Sequence, residues 1–215
     1  MDTEEKYMSH LQGVVKIPTV SSVNDENTDW SQFDRLHQYM QEAWPLIFEK
    51  LSLTRIGKAS LLFHWKSENP KKEPVLFMAH QDVVPAIHEE QWSHPPFEGE
   101  VDGGCLWGRG AEDCKSVLTA EMDAVEELLE EDFAPDFDIY LSFGHNEEVQ
   151  CTPDKKGSVL TAAYLKEQGI HLACLFDEGG NVEEGREGEP PLALVGMAEK
   201  APNEFVLYKD GAGGH

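Results

Sequence analysis

Four short clusters of histidine and acid each stand at the carboxyl end of an apolar, strand-like run. They are VLFMAHQDVVP with His80 and Asp82, LWGRGAEDCK with Asp113, IYLSFGHNEEV with Glu147 and Glu148, and LACLFDEGG with Asp177 and Glu178. In an open α/β sheet, groups just past the carboxyl ends of parallel strands converge on one crevice. An imidazole and several carboxylates gathered there repel one another. Two carboxylates ~4 Å apart cost on the order of 4 kcal/mol at an effective dielectric near 20. A cation among them removes that cost, so the pattern points to bound metal.

Each cluster also has a plainer reading. A single histidine at a strand end is more often a satisfied polar residue than a ligand. The spacing His80-x-Asp82 shifts that balance, because a carboxylate beside a metal-bound imidazole fixes its tautomer and orientation. Asp113 lies in GRGAEDCKS, just before an expected helix. It reads equally as an acid favoured by the helix dipole and as a carboxylate shared by two metals. Glu147 and Glu148 form the sharpest pair: neighbouring side chains on extended backbone diverge, so one can ligate while the other accepts a proton from water. Glu4-Glu5, Glu89-Glu90 and Glu126-Glu127 read as plain surface, since only Glu147-Glu148 follows a buried-type strand and a glycine. His88-Glu89 fails the HExxH spacing because Trp92 occupies the second histidine's place. There is no GxSxG elbow and no GxxxxGK[ST] phosphate loop, and the terminal GAGGH is too short for a dinucleotide fingerprint. His10, His37 and His64 fall inside expected helices or a strand and read as structural.

The elements that must position these groups follow from periodicity. A short helix is expected over 3–15, and a second, capped by Asp29, running through Phe33, Leu36, Tyr39 and Met40 to about Lys50 with Pro45 as a kink. LSLTRI and SLLFHW flank Gly57-Lys58-Ala59 as a hairpin. Val75–Ala79 reads as a strand buried on both faces, and 85–104 as a long surface loop. Ser116–Glu131 is amphipathic at helical spacing. A strand at 138–143, a helix at 155–169 ended by Gly169 and a strand at 172–176 complete a strand–helix–strand–helix–strand order. That order predicts an α/β fold, a mainly parallel mixed sheet flanked by helices. Further strands are expected at 192–198 and 203–209.

The chain has 215 residues, 40% of them hydrophobic, and a formal net charge of −24 from 41 acidic and 17 basic residues. That is enough apolar content for a core, and the sign of the charge argues against nucleic acid and anionic membranes as partners. The start, MDTEEKYMSH, lacks a signal-peptide pattern, and no run reaches the ~18 apolar residues of a membrane span. Cys105, Cys114, Cys151 and Cys174 form no CxxC pair and read as reduced thiols, not as a disulfide frame or a cysteine zinc site. A cytoplasmic protein is expected.

MAHQDVVP, W-x-x-PPFEG, GRGAEDCK, GHNEE and DEGG, in this order, resemble the co-catalytic zinc peptidase family that includes carboxypeptidase S, aminoacylase-1, glutamate carboxypeptidase and succinyl-diaminopimelate desuccinylase. The carboxypeptidase S-like branch is nearest in motif, and the resemblance runs from about residue 5 to the end. It implies a zinc-peptidase catalytic domain over 1–198 and the first strands of an α+β lid and dimerisation domain over 199–215. It further implies two zinc ions, with cobalt or manganese as substitutes. His80 would bind one, Asp113 would bridge both, and Glu148 would bind the second. Glu147 would be the general base and Asp82 would orient His80. Asp177 would complete the first zinc site, although Glu178 fits the pattern of some relatives. His215 would reach across a homodimer to the partner's site. The substrate would be a short peptide or an N-acyl amino acid with a free carboxylate.

The sequence departs from the family at Cys114, where Asp is usual after the bridging carboxylate, at Asn146 in place of Asp, and at Ala201 in place of Gly. Family members also continue through a lid and back to the catalytic domain, bringing a final metal-binding histidine. On that ground the 215-residue chain is expected to be inactive or nearly so. The alternatives carried are a non-catalytic metal-binding remnant of such an enzyme, and a deacetylase or desuccinylase of the same family.

Overall fold

A computed structural model describes residues 3–180, 182–186 and 188–197. Three helices open the chain: α1 (Thr3–Val15), α2 (Trp30–Ala43) and α3 (Pro45–Lys50). Asp29 caps α2 by accepting the Ser31 N–H, as the sequence predicts. The expected kink at Pro45 is a full break. Trp44 leaves helical geometry (φ −128, ψ 65), because a proline disfavours α backbone in the residue before it. Glu126 then accepts the first N–H groups of α3, from Leu46 at 2.9 Å and Ile47 at 3.0 Å.

The strands and later helices are β1 (Ser52–Ile56), β2 (Ser60–Trp65), β3 (Val75–His80), β4 (Glu100–Asp102), β5 (Cys105–Trp107), α4 (Lys115–Glu130), β6 (Ile139–Gly144), α5 (Gly157–Glu167), β7 (Cys174–Phe176), β8 (Val182–Glu183) and β9 (Leu192–Ala193). Five of them form one sheet in the order β1-β2-β6-β3-β7. β1 and β2 make the expected antiparallel hairpin, and β2 is antiparallel to β6. β3 runs parallel to both β6 and β7. Four strands therefore share one direction and only β2 opposes them. This is the mainly parallel mixed α/β sheet that the sequence predicts.

Alternation along the strands supplies two cores, since successive side chains point to opposite faces. Leu61, Phe63, Leu141, Phe143 and Ala79 pack with α1 through α4, burying Val14, Leu36, Trp44, Leu118 and Met122. Leu62, Tyr140 and Leu76 face the other way and meet Leu165, Leu160 and Tyr164 of α5. Helices thus cover both faces, and the crossovers bring the ends of β6 and β7 to either side of the end of β3. β7 is shorter than expected and exposed along its length, because it is the sheet's edge. The loop expected over 85–104 instead enters a small hairpin, β4–β5. Its strands are short and exposed except for half-buried Leu106, so no buried apolar face announces it in the sequence.

The compact body ends at Glu178, and Gly179 opens a second unit. Within that unit β8 and β9 pair antiparallel, where a strand over 192–198 was expected. The strand expected at 203–209, the lid from 199 onward and His215 lie outside the described residues. Among the described residues, no helix is long and apolar enough to cross a membrane.

Candidate active site

His80 is the last residue of β3 and is 97% buried, with 3% of its side chain exposed. Its Nδ1 lies 2.8 Å from the main-chain oxygen of Asp82. A carbonyl only accepts, so Nδ1 carries the hydrogen, and in the neutral ring Nε2 keeps its lone pair. That nitrogen points at two acids, Asp113 Oδ1 at 2.8 Å and Glu178 Oε1 at 3.3 Å. The orientation of His80 therefore comes from the backbone of Asp82. The Asp82 carboxylate is 3.7 Å from Nδ1 and is engaged elsewhere.

That carboxylate is fully buried. It accepts Ser21 Oγ at 2.6 Å, the Glu147 N–H at 3.1 Å and the Glu148 N–H at 3.2 Å. Ser21 is held close by a backbone bridge between Val20 and Val83. The Glu147-Glu148 pair lies on a bend, where extended backbone was expected. Asn146 before it has φ 58, a left-handed conformation that Asn tolerates better than most residues. The turn aims two successive N–H groups at one carboxylate.

On the far side, Gly157 opens α5 and donates its N–H to His145 O at 2.9 Å. A Cβ at Gly157 would press on Ser60 Oγ and on His145 N and Nδ1, so this position admits only glycine at that approach. Gln81 ties the neighbouring strand ends together, its Nε2 donating to Ala59 O at 2.8 Å and Phe143 O at 2.7 Å. His37 donates from Nε2 to Gln81 Oε1 (2.7 Å), His10 pairs with Asp123 (2.6 Å) and His64 with Asp138 (2.8 Å). These three histidines have structural partners outside the cluster.

His80, Asp113, Cys114 and Glu178 each bring one donor atom into a group whose members lie within 4.8 Å of one another. Asp177 is not in that group. Its oxygen Oδ1 accepts the Glu178 N–H at 2.9 Å, and the side chain of Glu178 is the one that turns toward His80. Cys114 follows Asp113 across a cis peptide bond and precedes α4. It is 1% exposed and accepts the His80 N–H on Sγ at 3.1 Å. Nothing in the sequence beyond its place beside Asp113 marks it as a donor.

The electrostatics of the group are those of a place that wants positive charge. Burial works against an imidazolium at His80, yet its hydrogen bonds to Cys114 and Glu178 outweigh burial and push it up to about 12. The same hydrogen bond to His80 holds Glu178 below the usual carboxylate range. Glu147 and Glu148 are raised, each first by burial; Glu148 is raised next by the charge of Asp113. One nitrogen, one sulfur and two carboxylates at this spacing suit a divalent cation of the zinc type.

The family described as Peptidase family M20/M25/M40 matches residues 76–193. The chain belongs to that family. It is 36% identical to carboxypeptidase S of Saccharomyces cerevisiae over 95% of this chain and 37% of that protein. It is 34% identical to the N-fatty-acyl-amino acid synthase/hydrolase PM20D1 of Mus musculus over 95% of this chain and 41% of that protein. This member of the M20/M25/M40 family therefore spans well under half the length of these curated relatives. Among solved structures, the M20 family metallo-carboxypeptidase Sso-CP2 from Sulfolobus solfataricus has TM-score 0.62 at 21% identity, covering 85% of this chain and 38% of that one. The di-peptidase Dug1p from Saccharomyces cerevisiae has TM-score 0.61 at 18% identity, covering 84% of this chain and 41% of that one. Both share the fold described above.

Proposed function

We propose that this chain carries the site of a metal-dependent amide hydrolase acting on a short peptide or an N-acyl amino acid. The observation that carries the reading is His80, its Nδ1 locked on the Asp82 carbonyl and its Nε2 turned to Asp113 and Glu178. His80, Asp113 and Glu178 would hold one cation, and Asp113 with Glu148 a second. Of the two acids that the resemblance left open, Glu178 would take this place and not Asp177. Zinc is the proposed ion, with cobalt and manganese able to replace it. Two divalent cations supply Lewis acidity, which polarises an amide carbonyl and makes water more acidic.

The chain's own residues do the rest. Glu147 takes a proton from the attacking water and passes it to the departing amine nitrogen. Asp82 keeps Glu147 and Glu148 apart in their tasks by fixing the main chain of both. A fixed geometry of this kind replaces random encounter with an aligned one. The substrate class follows from the relatives' names, a carboxypeptidase and an N-fatty-acyl-amino acid synthase/hydrolase.

The catalytic part over 1–198, a lid beginning at 199, a homodimer and a role there for His215 are carried forward from the resemblance as parts of this proposal. So is a cytoplasmic location, on its four free cysteines. Among the described residues the donor group holds a single histidine, so the chain assayed alone is expected to turn over weakly or not at all.

The test is a panel of dipeptides and N-acyl amino acids, run with the chain alone and with longer forms of the protein, with added zinc and after chelation. Release of free amino acid that needs the metal supports the reading. Hydrolysis unchanged by chelation, or metal binding with no substrate cleaved by any form, contradicts it.

A further inference from the structure

We propose that Cys114 is a sulfur donor to the cation held at His80, which makes this a mixed imidazole, thiolate and carboxylate site. The inference rests on the metal reading above and goes beyond it, because it concerns a residue where the motif usually carries Asp.

Three observations support it. Sγ belongs to the same group as the donor atoms of His80, Asp113 and Glu178, all within 4.8 Å of one another. Sγ also accepts the His80 main-chain N–H at 3.1 Å, which fixes the sulfur beside the residue whose ring leads the group. Finally, Cys114 is 1% exposed, so the sulfur is shielded from water while Asp113 beside it has 66% of its side chain exposed. Cys105, Cys151 and Cys174 have no place in the group.

The plainer reading is a small apolar residue filling space, and one flank of Cys114 does join the main core. Packing alone does not require the sulfur to sit among an imidazole and two carboxylates. The thiol is directed at His80 O at 3.5 Å. Binding a divalent cation would release that proton to solvent and leave the thiolate on the metal. A soft donor of this kind tilts a site from manganese and magnesium toward zinc, cobalt and cadmium.

Cobalt titration of the reduced chain tests this without any assay of turnover. The wild type is expected to show visible ligand-field bands together with a near-ultraviolet sulfur-to-cobalt charge-transfer band. Cys114→Ser should lose the charge-transfer band and keep the visible bands. A chain with Cys105→Ser, Cys151→Ser and Cys174→Ser, which leaves Cys114 untouched, should keep both. Visible bands without a charge-transfer band in that triple variant would overturn the sulfur assignment and leave the metal site standing. So would a charge-transfer band unchanged in Cys114→Ser. No cobalt bands in any form would overturn the metal reading, and the sulfur assignment with it.

Discussion

The carboxylate of Asp82 holds the main chain of Glu147. Oδ1 accepts the Glu147 N–H at 3.1 Å, while Oδ2 takes the next N–H, from Glu148, at 3.2 Å. Through its own carbonyl the same residue fixes Nδ1 of His80. One buried side chain and one peptide oxygen thus set the relative positions of three groups that stand at the ends of two different strands. Replacing Asp82 by Asn should put an amide donor against at least one of those N–H groups. The expected loss is about 1–3 kcal/mol of stability, the scale of an unsatisfied buried group. Urea unfolding of Asp82→Asn measures it, and Ser21→Ala, which removes a single donor to Asp82, should cost less.

Gly157 is expected to be nearly as intolerant. A Cβ there meets His145 and Ser60, so Gly157→Ala must displace either the start of α5 or the segment that leads to Glu147. A loss of about 1–3 kcal/mol is expected, typical of overpacking. Gly103, whose Cβ would meet nothing within 4 Å, has φ +61 and serves as a comparison for left-handed strain alone. Thermal denaturation of Gly157→Ala and Gly103→Ala separates the two effects.

Glu121 of α4 gives the fold a pH dependence of its own. Burial, and after it the charge of Asp177, raises its carboxyl to about 8, and its Oε2 is buried with no hydrogen-bond partner among the described residues. The unfolded chain loses this proton near its ordinary value of 4.5, whereas the folded chain keeps it until pH is about 8. Over that window the native state binds the extra proton, so stability falls as pH rises, by at most about 1.4 kcal/mol per pH unit. Glu121→Gln should flatten this slope. Unfolding midpoints of both proteins between pH 5 and 8, on the window set by that raised carboxyl, are the check, and parallel curves would contradict the assignment.

Much of this site is legible in the sequence because sheet topology does the assembling. The apolar runs before His80 and Glu147 match β3 and β6, the run before Asp177 contains the shorter β7, and parallel strands bring their carboxyl ends together. What pattern alone does not carry is direction at the level of one residue. Asp177 and Glu178 are neighbours in a polar turn, and only the path of the chain after β7 decides that Glu178 meets His80. Asp82 is legible as a partner of His80, but which of its oxygens does the work depends on Ser21, some sixty positions earlier in the chain. Cys114 is hidden for a different reason. A lone cysteine without CxxC spacing resembles packing, and its donor role depends on the bend that places it under His80. The β4–β5 hairpin escapes because each strand is three residues long and, Leu106 apart, exposed, which is too little for an alternating pattern to show.

The division of labour between the paired glutamates makes a prediction about chemistry. Glu147→Gln keeps the shape of the side chain and removes its capacity to accept a proton. In any form of the protein that hydrolyses substrate, turnover should fall by a factor on the order of 10² to 10⁴, the usual worth of a positioned base. Metal content should not change. Glu148→Gln should instead reduce metal content together with turnover, and the reverse assignment would show as the reverse pattern.

The central claim is that the strand-end cluster holds a divalent cation through His80. Calorimetric titration of zinc into the 215-residue chain, beside His80→Ala, tests it most directly. The expected result is saturable zinc binding with proton release in the wild type, and loss of that binding in His80→Ala with the fold retained by circular dichroism. A wild type that takes up no zinc, or a His80→Ala variant that binds it equally well, would contradict the account.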